Sequence, residues 1–231
     1  MKKHTYYTAV GHFRRETNAW GQSRPVIIVN RKEYYVDIQE MALWTALNWR
    51  LLEAPQVQEE YDRLNQDGMI PALRTFENCL GRLCTRGLVA FGMGDTDYEA
   101  IYDLLGGLYV SPLSERLPLS LALFLKLVVL RGVPVSRTRE LFRRDRPNAL
   151  EAQVMSLARQ ALLSTAELVK CAEVGAQDVS TGEKLMAALY NDDDTTSDNI
   201  ADLMLLAESR QPVTQAIASL YLRKQIVFDR V

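Results

Sequence analysis

The chain has 231 residues, 48% of them hydrophobic and 24% charged, which is ordinary for a folded protein and enough for one large domain or two small ones. A formal net charge of −2 excludes a protein that is basic all over, so any nucleic-acid contact must come from a local patch. Three cysteines, Cys79, Cys84 and Cys171, are too few and too irregularly spaced for a disulfide framework or a zinc site, and are expected as buried reduced thiols in a cytoplasmic protein.

Residues 1–24 read as irregular, with Lys2, Lys3, Arg14, Arg15 and Arg24 set against Glu16 alone. The first residues lack the apolar run of a signal peptide. The segment 117–130, interrupted by Lys126, is too short for a membrane span, so no membrane partner is expected. β-Branched and aromatic residues at 26–29 and 33–36, around Asn30-Arg31-Lys32, predict a hairpin. Asp37, with Glu40 three residues on, makes a capping box that opens a first helix. In it Ile38, Met41, Ala42, Thr45, Trp49 and Leu52 share one face. Trp44, Leu47 and Leu51 form a second apolar face, expected at the centre of the fold or against a partner subunit.

A second helix over about 55–64 offers Val57, Tyr61 and Leu64, and Gly68 closes the turn after it. The third helix, about 71–86, has Phe76, Cys79, Leu80 and Leu83 as its inward stripe, which points Arg74, Asn78, Arg82 and Thr85 outward. Gly87 stands where a C-terminal cap belongs. A strand at 88–91 is expected to pair with the early hairpin, and Thr96 with Glu99 caps a further helix.

The proline-containing stretch 111–118 marks a boundary, giving domains at 1–112 and 113–231. Everything beyond it reads as helical, near 118–131, 135–144, 148–173, 180–190, 198–208 and 211–227. The longest carries Leu150, Val154, Leu157, Ala161 and Leu168 on or near one face, and no internal repeat stands out. Residues 117–146 are dominated by basic side chains, most densely at 137–146. Residues 173–210 are acidic, relieved only by Lys184 and Arg210; the basic run is a candidate to bind phosphates or to pair with the acidic region of the same or a second chain, and pairing is the favoured expectation.

Three helices in close succession, the last running through Arg86-Gly87 into an apolar strand, resemble the winged helix-turn-helix superfamily over about residues 26–94. The fold this implies is mostly α: a winged helix-turn-helix domain with a small β-hairpin or sheet, followed by an all-helical C-terminal domain for dimerisation or sensing. By that resemblance the third helix enters the major groove of double-stranded DNA, with Arg74, Asn78, Arg82 and Thr85 facing it. Arginine can take guanine O6 and N7, and asparagine adenine N6 and N7, with two hydrogen bonds each. The implied function is a bacterial-type transcriptional regulator, homodimeric, with a small-molecule effector as a further candidate partner. The alternative is a protein-interaction adaptor on the same fold without DNA binding. One departure stands out: Gly92-Met-Gly-Asp-Thr-Asp97 leads straight into a helix, so the wing is short or the hairpin at 26–36 takes its place.

No catalytic, cofactor or metal site is expected. Gly92-Met93-Gly94 lacks the third glycine of a dinucleotide turn and is expected as a tight turn. The acidic loop at 191–198 has Ser197 and Leu203 where a calcium loop needs Gly and Glu. The histidines, His4 and His12, both lie in the N-terminal arm, remote from a nucleophile partner.

Overall fold

The computed structural model describes residues 3–17, 23–113, 148–192 and 194–230, as helices combined with three small antiparallel sheets. The helices expected at 118–131 and 135–144 and the basic run at 137–146 lie outside the described residues.

The N-terminal arm is not irregular: it forms β1 (His4–Ala9) and β2 (His12–Thr17). Gly11 turns the chain between them with φ of +87°, and a Cβ there would lie 2.3 Å from the Ile28 carbonyl oxygen, so a side chain has no room. β2 pairs with β3 (Ser23–Val29), and β3 with β4 (Lys32–Tyr35). Asn30 and Arg31 both have positive φ, as the tight two-residue hairpin turn requires. The expected hairpin is present and has gained a strand.

α1 (Ile38–Leu47) opens at the predicted capping box: the Asp37 carboxylate accepts the Glu40 N–H at 2.8 Å, and the Glu40 carboxylate accepts the Asp37 N–H at 3.2 Å. It stops short of Trp49, whose left-handed φ of 58° turns the chain into β5 (Leu52–Glu53). Next come α2 (Ala54–Leu64), α3 (Phe76–Thr85), β6 (Val89–Gly94) and α4 (Asp97–Leu105). β6 does not pair with the hairpin. Its partner is β1, in the order β5-β1-β6. Gly92 and Gly94 lie inside β6 rather than in a turn. A Cβ on Gly92 would sit 2.1 Å from the Leu104 nitrogen, and one on Gly94 2.4 Å from the Ala100 nitrogen, so α4 rests directly on strand backbone.

The second half is not all-helical. Its elements are β7 (Tyr109–Pro112), α5 (Ala149–Gln160), β8 (Leu163–Ser164), α6 (Thr165–Glu173), α7 (Gly182–Leu189), α8 (Ile200–Leu203), α9 (Arg210–Leu222) and β9 (Ile226–Asp229). The single helix expected over 148–173 is two. Ala161 is extended, Leu163 enters a sheet, and a Ser164–Glu167 capping box starts the chain helical again. Likewise the helix expected over 211–227 ends at Leu222, and Lys224, with φ of 59°, reverses the chain into β9. The sheet β8-β7-β9 takes its middle strand from residues 109–112, upstream of the boundary expected at 112/113.

The two halves repeat one plan that the sequence conceals. In each, a strand is followed by a helix with Glu at the third position of its capping box, then a two-residue strand, a second helix, a later helix and a closing strand. The first strand becomes the middle of the sheet both times. The registers agree: Tyr6 faces Glu53 and Gly92, and Tyr109 faces Ser164 and Asp229. One residue on, Tyr7 faces Leu52 and Phe91, and Val110 faces Leu163 and Phe228. α3 is closed by Arg86 and a positive-φ Gly87, α9 by Arg223 and a positive-φ Lys224.

A single apolar core runs through both units. Trp44 and Leu47, part of the surface on which a homodimer was expected, are fully buried inside the chain, and the Trp44 indole donates to the Val10 carbonyl at 3.1 Å. Tyr221 joins the units. Its hydroxyl accepts the Trp49 N–H at 2.9 Å and lies 2.9 Å from Thr8 Oγ1, and burial pushes its pKa up to about 12. Tyr221→Phe should therefore leave the buried Trp49 N–H without its partner, while the Thr8 hydroxyl keeps its bond to the Arg50 carbonyl. A loss of about 1–3 kcal/mol in urea unfolding is expected.

Candidate nucleic-acid interface

Thr75 caps α3, accepting the Asn78 N–H at 3.3 Å, so the helix begins after Arg74 rather than at 71. Of the four side chains expected to face DNA, two are turned to other work. Arg74 is held on the body of the protein: Nη1 lies 2.7 Å from Asp37 Oδ2 and 3.9 Å from Glu40 Oε1, and its backbone is clamped by the Gln39 amide. Arg82 Nε lies 3.1 Å from Glu40 Oε1, with about half of the side chain still in solvent. Asn78 and Thr85 are exposed. The Thr85 hydroxyl donates to the Gly81 carbonyl at 2.9 Å, while the Asn78 amide has no partner among the described residues.

The centre of this cluster is Glu40, whose side chain is 3% exposed. Burying a carboxylate costs several kcal/mol unless cations and donors surround it. Here Arg86 completes the set: Nη1 is 3.0 Å from Glu40 Oε2, Nη2 donates to the Tyr35 carbonyl at 2.6 Å, and the guanidinium lies over the Tyr34 ring. Neither Glu40 nor Arg86 was read from the sequence as part of a site. A capping-box Glu ordinarily serves its own helix, and only the approach of α3 to the start of α1 gives it three guanidinium neighbours. Burial pushes the nearby Asp37 carboxyl up, but the Glu40 N–H and the Arg74 guanidinium together hold it below the usual carboxylate range.

Beside α3 an open cleft of about 600 Å³ separates the helix from the β3–β4 hairpin. Arg24, Arg82 and Arg86 line it together with Tyr35, Asp37 and Glu40, so cations outnumber acids. The far end of β6 has the opposite character. Asp95, Asp97 and Glu99 cluster there near Glu53, and His4 Nδ1 lies 2.9 Å from Asp97 and 3.5 Å from Glu53.

The counterpart of α3 in the second unit is α9, whose corresponding face carries no cation and leaves Gln215 and Leu222 exposed and Ser219 half-buried. Gln215, at the place of Asn78, donates to the Tyr98 hydroxyl at 3.3 Å, and α4 packs along the helix through Tyr98, Ile101 and Tyr102. Ser219 and Leu222 stand where α3 has Arg82 and Thr85.

No family model, no curated protein and no solved structure matches the chain. Among the described residues no group of three or more His, Cys, Asp or Glu side chains is placed to hold a metal ion. No helix among them is long and apolar enough to cross a membrane.

Two outcomes follow for the cluster. Glu40→Gln leaves Arg82 and Arg86 without their counter-charge. Because both arginines keep some solvent, a loss near the lower end for a broken buried pair is expected, about 3 kcal/mol by denaturant unfolding. Asp37 has a depressed pKa in the folded state, so its contribution is complete above the unfolded carboxylate range and is lost as pH falls below about 4. Asp37→Asn should therefore flatten the decline of Tm between about pH 5 and pH 2.

Proposed function

We propose that the chain is a winged-helix protein whose first unit binds double-stranded DNA through α3, as a bacterial-type transcriptional regulator that catalyses no reaction. The reading rests on one observation. The face of α3 that bears Asn78, Arg82 and Thr85 is open beside an arginine-lined cleft. In the middle of that face Gly81 has open space where a side chain would be, which permits close approach to a groove floor. In this reading β1 replaces the last wing strand, Asn78 contacts a base edge, and Arg24 and Arg82 meet backbone phosphates. Arg74, spent on Asp37, sets the angle of α3 and reads nothing. The second unit is a scaffold, since α9 has Gln215, Ser219 and Leu222 where α3 has Asn78, Arg82 and Thr85.

The adaptor reading keeps one observation in its favour. Asp95, Asp97 and Glu99 crowd the end of β6, where the family's wing would approach a phosphate, and Phe91 and Met93 are exposed beside them. A surface of that kind suits a protein better than a polyanion.

Binding to mixed genomic duplexes over a salt series separates the two. Asn78→Ala should relax base preference by about 1–3 kcal/mol and leave the salt slope unchanged, whereas Arg24→Ala should weaken all sequences alike and lower the slope by about one. No shift of any duplex at low salt removes the DNA reading and leaves the adaptor.

A further inference from the structure

β6 ends the first sheet with an open edge. Nothing pairs with its outer side in the order β5-β1-β6. The Val10 N–H bonds the Leu88 carbonyl at 2.9 Å, and the alternation of an antiparallel ladder then turns the backbone groups of Val89, Phe91 and Met93 away from β1. The Met93 N–H is taken by the Asp103 carboxylate at 2.7 Å, while the N–H and C=O of Phe91 have no partner among the described residues. Phe91 and Met93 are 49% and 50% exposed. An apolar strand edge, guarded here only by the Asp103 carboxylate at Met93, is one that folded proteins ordinarily cover.

The second unit has the same edge, and there it is covered. Phe228, the counterpart of Phe91, is fully buried. Its carbonyl accepts the Gly11 N–H at 2.7 Å, and the Ile226 carbonyl accepts the Trp49 indole N–H at 3.3 Å. The first unit thus supplies the cover for the second, and no described segment supplies one for the first.

We propose that β6 pairs with β6 of a second copy of this chain, antiparallel about a two-fold axis at Phe91. Charge selects this occupant. With Phe91 on the axis, Met93 faces Val89 of the copy and Asp95 faces Gly87 of the copy. Arg230 stands beside Gly87, 3.7 Å from where a Cβ on that residue would be. Neither Asp95 nor Arg230 has an ion-pair partner among the described residues. The two-fold therefore brings two acids onto two bases, while a parallel pairing would set Asp95 against Asp95. Around the axis the Phe91 rings and the Met93 side chains become cross-strand neighbours, and the two Phe91 residues exchange N–H···O=C bonds.

Sedimentation of the full chain between about 1 and 100 µM should give a dimer. Phe91→Cys should form an intermolecular disulfide on mild oxidation, because the axis sets the two positions opposite each other; the native cysteines are buried or half-buried. Phe91→Arg should weaken association at least about tenfold without lowering Tm. Asp95→Arg should weaken it as well, and Arg230→Asp added to it should restore it. A monomer across the whole range, or a dimer indifferent to Phe91→Arg, overturns the proposal. A monomer that still shifts DNA rejects this interface and spares the DNA reading; a dimer that ignores DNA does the reverse.

Discussion

The sheets β5-β1-β6 and β8-β7-β9 each take their middle strand from upstream of the helices they support, and the rest of the structure depends on that constraint. β1 is bonded on one side to β5 and on the other to β6, although α1, α2 and α3 all lie between it and β6 in the chain. A middle strand satisfies its backbone on both edges, so the flanking strands can be as short as the two residues of β5 without losing register. It also frees the chain between the middle strand and the first helix from any role in the sheet. In the first unit that stretch is used for β2, β3 and β4, whose hairpin stands opposite α3 and makes one wall of the arginine-lined cleft.

Electrostatics at the junction of α1 and α3 follows from the same geometry. The closing strand must leave α3 near the start of α1, and there the capping-box Glu40 loses its solvent. The cost is offset by guanidinium groups, and α3 with its flanks supplies Arg74, Arg82 and Arg86. The second unit meets the same requirement with fewer means: Glu151, nearly buried at the same place on α5, pairs with Arg223 at the end of α9. Burial pushes the Glu151 carboxyl up, while Arg223 and the Asn148 backbone hold it below the usual range. Position for position, Arg223 matches Arg86, so this pair belongs to the fold rather than to recognition. Arg74 and Arg82 are what the first unit adds.

Local signals in the sequence were legible because they act locally. The capping boxes at Asp37–Glu40 and Thr96–Glu99, the Asn30-Arg31 turn, the positive-φ glycines at 68 and 87 and the inward stripe of α3 all stand where the residue types place them. What failed needed long-range knowledge. The N-terminal arm read as irregular because Tyr6, Tyr7 and Thr8 become a strand only between two partners far along the chain. The apolar stripe over 148–173 read as one helix because helical periodicity survives the two-residue strand at Leu163–Ser164. Trp44 and Leu47 read as surplus surface because α1 packs on β1, which lies in the arm that read as irregular, as well as on α2 and α3. The outward direction of Arg74 and Arg82 was legible, yet their partner was not, since Glu40 already had a role as a cap.

The repeated plan gives these differences a direction. Two units with the same registers, the same capping-box glutamate and the same arginine strut began with equivalent surfaces available to them, yet they spend those surfaces differently. In the second unit the face of the last helix has Ser219 and Leu222 in place of Arg82 and Thr85, and the edge of the closing strand is bonded by Gly11 and Trp49. The strand contacts are made inside the chain, by a backbone N–H and an indole N–H. In the first unit the same helix face is polar and open, and the same strand edge is apolar and open. A surface that is buried in one unit by a specific set of hydrogen bonds is, in its counterpart, a surface already shaped for contact. Under the two proposals, the open surfaces take different partners: a DNA groove at α3, and the same strand of a second copy at β6.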